Sequence, residues 1–285
     1  MGDRDYMRPD YGPPGRPPFA PGGSFWRSHP ATKAVLVGLV AIHLLMLVLR
    51  SMKIYSVYNL LSLNPRDVID HFYLWQIVTS AFLHDLDGFW HLFFNGFVIY
   101  IFGRYAEEWL GKRRYLLFLL GSAVTASLGY LLFAALGSSV NPVVGASGAA
   151  TALIAYVALR VPHMTVMLFF VFRVQLWVLA VILILMDVIG LLSTSGNVAH
   201  AAHLGGALYG YLYFKFSSRV AGVFDAIDRF ADKREAERDL KLRRKEADLR
   251  REIDRILDKV NREGMAALSE EERRFLKEAS GKLRR

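Results

Sequence analysis

The stretch GASGAATALIAYVALR, residues 145–160, decides how the rest of this chain is read. It is small and apolar, and it ends at Arg160, just before Pro162. From Ser147 to Arg160 it can form about 21 Å of helix. A bilayer's hydrocarbon core is about 30 Å thick, so the block is too short to cross it unaided. With Arg160 at one interface, Ser147 lies well below the opposite surface. The glycine-rich segment before it must then dip inward. Irregular backbone at that depth is tolerated only inside protein or around a water-filled cavity. The block therefore predicts a wet cavity with Ser147 on its floor.

The flanking sequence supplies the membrane setting. Of 285 residues, 53% are hydrophobic, and the mean hydropathy is positive. That is too apolar for an ordinary soluble domain. Apolar blocks at 31–49, 89–105, 115–136, 176–192 and 201–216 join 147–160. The expected fold is all-α: a polytopic bundle of six transmembrane helices with a short soluble helical tail. Residues 51–86 are mixed and aromatic, without a clean span. Residues 1–30 are rich in Pro and Gly, carry Asp3, Asp5 and Asp10, and lack a hydrophobic run. They read as a disordered cytoplasmic tail, not as a signal or transit peptide. The expected domains are this tail, a six-span domain over 31–220, and a charged helical tail over 221–285.

Charge orients the bundle. Arg104, Lys112, Arg113 and Arg114 lie between the second and third blocks, and Arg160 and Arg173 between the fourth and fifth. Segments 137–146 and 193–199 carry no Asp, Glu, Lys or Arg. The basic connections belong in the cytoplasm, which puts both termini there and Ser147 toward the outer side. The first loop strains this pattern with Arg50, Lys53 and Arg66, although Asp67, Asp70, Asp85 and Asp87 accompany them. The net charge of +9 then reports cytoplasmic segments beside anionic lipid, and no nucleic-acid partner is expected. With no cysteine, disulfides and thiolate metal sites are excluded.

Three motifs carry chemistry. Gly145-Ala146-Ser147-Gly148 offers a serine that backbone and substrate can approach closely. Ala202-His203-Leu204-Gly205-Gly206, followed by Gly210, opens the last block on the same side. Gly206 and Gly210, spaced as G-x-x-x-G, can pack against Gly148, Ala152 and Ala155 and bring His203 to Ser147. A neutral imidazole in reach is what a serine needs for activation. His91 and Asn95, at i and i+4, share a helix face and can hold an oxyanion together with the Ser147 N–H. Taken singly, each has a plainer reading: a small-residue helix contact for Ser147, an interhelical hydrogen bond for Asn95.

Together they resemble the bacterial rhomboid proteases. Trp75-Gln76-Ile77-Val78-Thr79 with Phe82-Leu83-His84, His91-x-x-x-Asn95, Gly103-Arg104-x-x-Glu107-x-x-x-Gly111, Gly145-x-Ser147-Gly148 and His203-Leu204-Gly205-Gly206 occur in that family's order over about residues 31–217. The resemblance implies an intramembrane serine protease acting on transmembrane protein substrates. It implies a Ser147–His203 dyad without a third acid, and an oxyanion site at His91 and Asn95. It implies no cofactor and no metal. It also implies a first loop partly embedded in the outer leaflet and an Arg104–Glu107 structural pair. The setting is a multi-pass protein of the cell (inner) membrane. Thr151 departs from the pattern. It stands where the family often has an aromatic packing on the histidine, and its hydroxyl is a candidate to orient His203 instead.

The remaining polar residues read more plainly. His200 and His203 form H-x-x-H, but no H-E-x-x-H or cysteine accompanies them, so zinc is disfavoured. His84 reads as loop-ordering, and His43 and His163 as structural. Asp187, intramembrane, could orient a base or bind a partner, but reads more plainly as a hydrogen bond near the outer interface. In the tail, Ile253, Ile256, Leu257 and Val260 form an apolar stripe. Gly264 ends that helix, and Ser269 with Glu272 forms a capping box. The tail is read either as an appendage or as a module for a cytoplasmic partner. Two rival functions are a catalytically inactive rhomboid-like binder of membrane clients and a proton relay. The first usually lacks the serine or the histidine, and the second lacks inverted repeats here.

Overall fold

The computed structural model describes residues 29–136, 141–168, 171–193, 199–219, 222, 251, 253–264, 268–271 and 274–275. The N-terminal tail up to residue 28 and the charged stretch 234–250 lie outside the described residues. The chain divides into two units between Ser217 and Ser218.

In the first unit, the apolar blocks become helices at nearly the boundaries expected of them. Helix α1 is Pro30–Ser51. Three short helices follow, α2 Ser56–Leu61, α3 Pro65–His71 and α4 Gln76–Thr79, with a 3₁₀ turn at Ser80–Phe82. Helix α5, Phe89–Ala135, is broken at Gly111, whose φ of 75° and ψ of 160° leave helical space. A side chain would be strained there, and glycine is not. The break falls in the basic connection between the second and third blocks. Then come α6 Ser147–Arg160, α7 Leu176–Leu192 and α8 Ala199–Lys215. Helix α1 and the long α5 are long and apolar enough to cross a membrane; α6 and α7 are shorter apolar helices.

The first unit is predominantly helical, as expected, with one small element of sheet outside that expectation. Strands β1 Thr165–Leu168 and β2 Phe172–Gln175 pair antiparallel between α6 and α7, with Val166 opposite Val174 and Met167 opposite Arg173. The β-branched and aromatic residues of this connection suit a pleated surface better than a loop.

The bundle is layered around α6. Ala152, Leu153, Tyr156 and Val157 of α6 are fully buried, and the helix packs against both α5 and α8. The outer helices turn apolar faces outward: Val37, Val40, Leu44, Leu45 and Val48 on α1, and Val181, Ile182, Leu185, Met186 and Ile189 on α7 are exposed. Exposed apolar area on this scale suits an apolar solvent rather than water.

The segment between α1 and α5 is ordered by buried polar groups. Gln76 is fully buried. Its Oε1 accepts from the Asn64 N–H at 2.9 Å and its Nε2 donates to the Leu60 carbonyl at 3.2 Å. Leu63, Val68, Tyr130 and Ala134 form a buried cluster, with Ile77 packed against it. Arg50 meets Asp87 at 2.6 Å, which neutralises part of the positive charge on the loop.

Beside the pairing with Arg104 that the resemblance implies, Glu107 has a task of its own. It is 5% exposed, and it caps the start of α1. Its Oε1 accepts from the Ala31 N–H at 2.8 Å, and its Oε2 from the Thr32 N–H and hydroxyl, both at 2.7 Å. These are the orphan donors that every helix start must satisfy. Glu107→Ala would strand them in a buried place. We expect a loss of about 2–4 kcal/mol, read as a lower unfolding temperature in detergent, with Glu107→Gln losing less.

In the second unit, Ile256 and Leu268 are buried. Leu257, placed in the apolar stripe by its spacing, is 46% exposed, so the stripe is narrower than expected. Gly264 closes the helix with φ of 82°, its N–H reaching the Val260 carbonyl at 2.9 Å. Ser269 stands just before helical backbone resumes at Glu270; Glu272 lies outside the described residues.

Candidate active site

Ser147 is the first residue of α6. The segment before it is held inward by backbone bonds. Val143 pairs with Leu63 through reciprocal bonds of 2.9 and 3.0 Å, and the Gly145 N–H reaches the Ser80 carbonyl at 3.0 Å. Gly145 has φ of 133°. A Cβ there would stand 2.7 Å from His91 Nε2 and 3.6 Å from Ser147 Oγ. Glycine is thus needed for both backbone and space, and the His91 ring and the Ser147 hydroxyl flank the same point.

His203 arrives on α8 through close backbone packing. A Cβ on Gly206 would fall onto the Gly148 carbonyl, and one on Gly210 onto the Ala152 carbonyl, with Ala155 Cβ at 3.1 Å. One on Gly205 would lie 2.7 Å from the Thr125 carbonyl of α5. The G-x-x-x-G surface therefore meets the small residues of α6 that the spacing named. A methyl group on Gly148 would strike Ala126, so that glycine fits α6 to α5 as well.

Ser147, His203, His91 and Asn95 all line one cavity of about 410 Å³. Gly145, Gly148, Trp90 and Phe94 line it too. Trp90 and Phe94 are 65% and 52% exposed, so the cavity has an aromatic margin. Asn95 is 6% exposed, and its Nδ2 is buried without a hydrogen-bond partner among the described residues. A buried amide donor left free is costly unless something binds it. If this amide serves as an oxyanion donor, Asn95→Ala is expected to reduce kcat about 100-fold with little change in KM, as measured by steady-state kinetics on a transmembrane substrate. His84, 1% exposed, packs its ring edge-on to His91 at 5.2 Å, in keeping with a loop-ordering role.

Thr151 does not orient His203. Its hydroxyl donates to the Ser147 carbonyl one turn back, at 2.8 Å, a bond internal to α6. The group that meets His203 is Asp187 of α7. His203 Nδ1 lies 3.0 Å from Asp187 Oδ1, and His200 Nδ1 lies 2.7 Å from the same oxygen. The sequence located Asp187 but not its partners, because which faces two helices turn to one another is a tertiary fact that spacing along the chain does not carry. The ligand atoms of Asp187, His200 and His203 lie within 4.8 Å of one another, so this trio is the group among the described residues that could hold a metal ion.

A bundle with apolar outer faces thus encloses a cavity lined by a serine, two histidines and an amide. Comparison with known proteins gives the family. A rhomboid-domain profile matches residues 71–219, over half of the chain. The chain belongs to the rhomboid family and is a membrane protein. It is 31% identical over 196 residues to proteins named "Rhomboid protease GlpG" from Yersinia pestis and Yersinia pseudotuberculosis, covering 67% of this chain and 63% of theirs. It is 32% identical over 148 residues to "Rhomboid protein 1, mitochondrial" of Saccharomyces cerevisiae, covering 50% of this chain and 42% of that one. The chain thus spans less than two thirds of the length of these curated relatives. Residues 239–282 match a family of unknown function, DUF6576.

Proposed function

We propose that this chain is an active intramembrane serine protease that hydrolyses peptide bonds in or near the transmembrane segments of other membrane proteins. The observation that carries this reading is the shared cavity: Ser147 and His203 line it together with His91 and Asn95. Ser147 Oγ attacks the scissile carbonyl, and His203 takes its proton. The oxyanion is held by His91, Asn95 and the Ser147 N–H. His203 then returns the proton to the leaving amine, and water releases the acyl group by the same route. Substrate helices must unwind locally, because a helix engages its own carbonyls. The inactive, client-binding alternative is not favoured, since this chain keeps both the serine and the histidine.

The topology that fits this reading has six spans: α1, the two halves of α5, α6, α7 and α8. Both termini are cytoplasmic, and the cavity opens to the outer side of the inner membrane. Lipid covers the apolar faces of α1 and α7. The protease domain occupies 31–220, and the tail over 221–285 is available to a cytoplasmic partner.

The test uses the full chain in detergent with a fluorophosphonate probe and a fluorescent transmembrane substrate. Wild type should label at Ser147 and cleave, whereas Ser147→Ala should do neither. Equal cleavage by the two proteins across several substrates would sink the reading.

A further inference from the structure

Asp187 is the one charged residue of α7. A lone carboxylate on an apolar helix is costly unless donors meet it. It is 7% exposed, whereas its helix neighbours Met186 and Ile189 are 60% and 66% exposed. The helix therefore turns its acid inward, onto α8. There His200 and His203, three residues apart, share a face. Both direct Nδ1 at Asp187 Oδ1, at 2.7 and 3.0 Å. Gly190, one turn beyond Asp187, makes the approach feasible, because a Cβ at that position would strike the His200 ring.

A carboxylate only accepts hydrogen bonds, so each Nδ1 facing it is the protonated nitrogen. In a neutral His203 ring that leaves Nε2 as the free base. His203 also lines the cavity with Ser147, and among the described residues the only other titratable side chain in that lining is His91. We propose that Asp187 is the positioning acid of His203, making the site a Ser147–His203–Asp187 triad. His200 steadies the carboxylate by donating to the same oxygen. The proposal rests on the protease reading above. Asp187 fixes the tautomer and the ring plane, and it stabilises the imidazolium formed when the Ser147 proton moves to Nε2. Asp187 remains a carboxylate throughout. As the Oγ–C bond forms and the C–N bond later breaks, the proton travels from Oγ to Nε2 to the leaving amine. This arrangement also supplies what Thr151 does not.

The experiment compares full-length wild type, Ser147→Ala, Asp187→Asn, Asp187→Glu and His200→Ala on one transmembrane substrate, with unfolding temperatures measured alongside. An asparagine fills the same space but can present an N–H to Nδ1 and favour the wrong tautomer. Asp187→Asn should lower kcat by about 100-fold or more while KM stays within about twofold and the unfolding temperature holds. Asp187→Glu should recover part of the lost kcat, and His200→Ala should lose several-fold. EDTA should leave wild-type kcat unchanged. Wild-type kcat in Asp187→Asn would overturn the proposal while leaving the protease reading intact. So would a loss that tracks unfolding temperature and is not recovered by Glu. Activity abolished by EDTA and restored by Zn²⁺ would make the trio a metal centre and overturn it equally. Wild type no faster than Ser147→Ala would remove the protease reading itself, and the triad with it.

Discussion

Replacing Ser147 or His203 by alanine should reduce cleavage of a transmembrane substrate by about 10⁴-fold or more, and replacing both should reduce it no further. The expectation follows from how the proposed pair works. A serine hydroxyl is a weak nucleophile until a base removes its proton, and a histidine in this cavity has nothing to deprotonate without the serine. Each substitution therefore removes the whole covalent route, and the second finds nothing left to remove. What survives comes from binding and oxyanion stabilisation alone. The check is a single-turnover assay on the two single variants and the double variant. Additive losses would mean that the residues act separately, as they would in a relay or a binding protein. Unfolding temperatures should stay near wild type, because neither side chain fills a buried packing position: His203 is half-buried and both line the cavity.

The second large effect lies away from the chemistry. Gly206→Ala should cut activity more than about 10-fold and destabilise the fold by about 1–3 kcal/mol. Gly206→Val should prevent folded protein from accumulating. The added methyl group would fall onto the Gly148 carbonyl, with the Gly148 Cα at 3.1 Å. These are backbone atoms, and they cannot rotate aside as a side chain would. Helices α6 and α8 must then separate, and His203 withdraws from Ser147 by the same displacement. Gly38→Ala is the control, since a methyl group there meets nothing within 4 Å. It should leave both activity and stability unchanged or slightly raise stability. Thermal unfolding in detergent and the cleavage assay measure the two effects together.

The helices were legible because apolar block length and charge placement report directly on helix boundaries. Gly206 and Gly210 were legible too, since spacing by one turn fixes a face. The hairpin Thr165–Leu168 with Phe172–Gln175 was not. Eleven residues of mixed apolar character between two helical blocks give strand and loop nearly the same pattern, and pairing partners decide between them. Leu257 failed for a related reason. A stripe at i, i+3, i+4 and i+7 names a face, but the breadth of what covers it is a tertiary fact. Asp187 shows the limit most clearly. Its type and position were plain, while its partners lie 13 and 16 residues away on another helix. Thr151 misled because a free hydroxyl in a helix so readily bonds to the carbonyl one turn back.

The start of α6 has an electrical consequence. Its N-cap is Ala146, which makes no side-chain bond to the first turn, and no acidic residue stands in that turn. The aligned peptide dipoles of the helix therefore leave roughly half a positive charge uncancelled at its leading end, and Ser147 sits there. That charge belongs to the main chain. It does not titrate, and exchanging side chains does not remove it. Warheads that become anionic once the serine adds to them, such as boronates and trifluoromethyl ketones, should gain from it, while neutral analogues of equal shape should not.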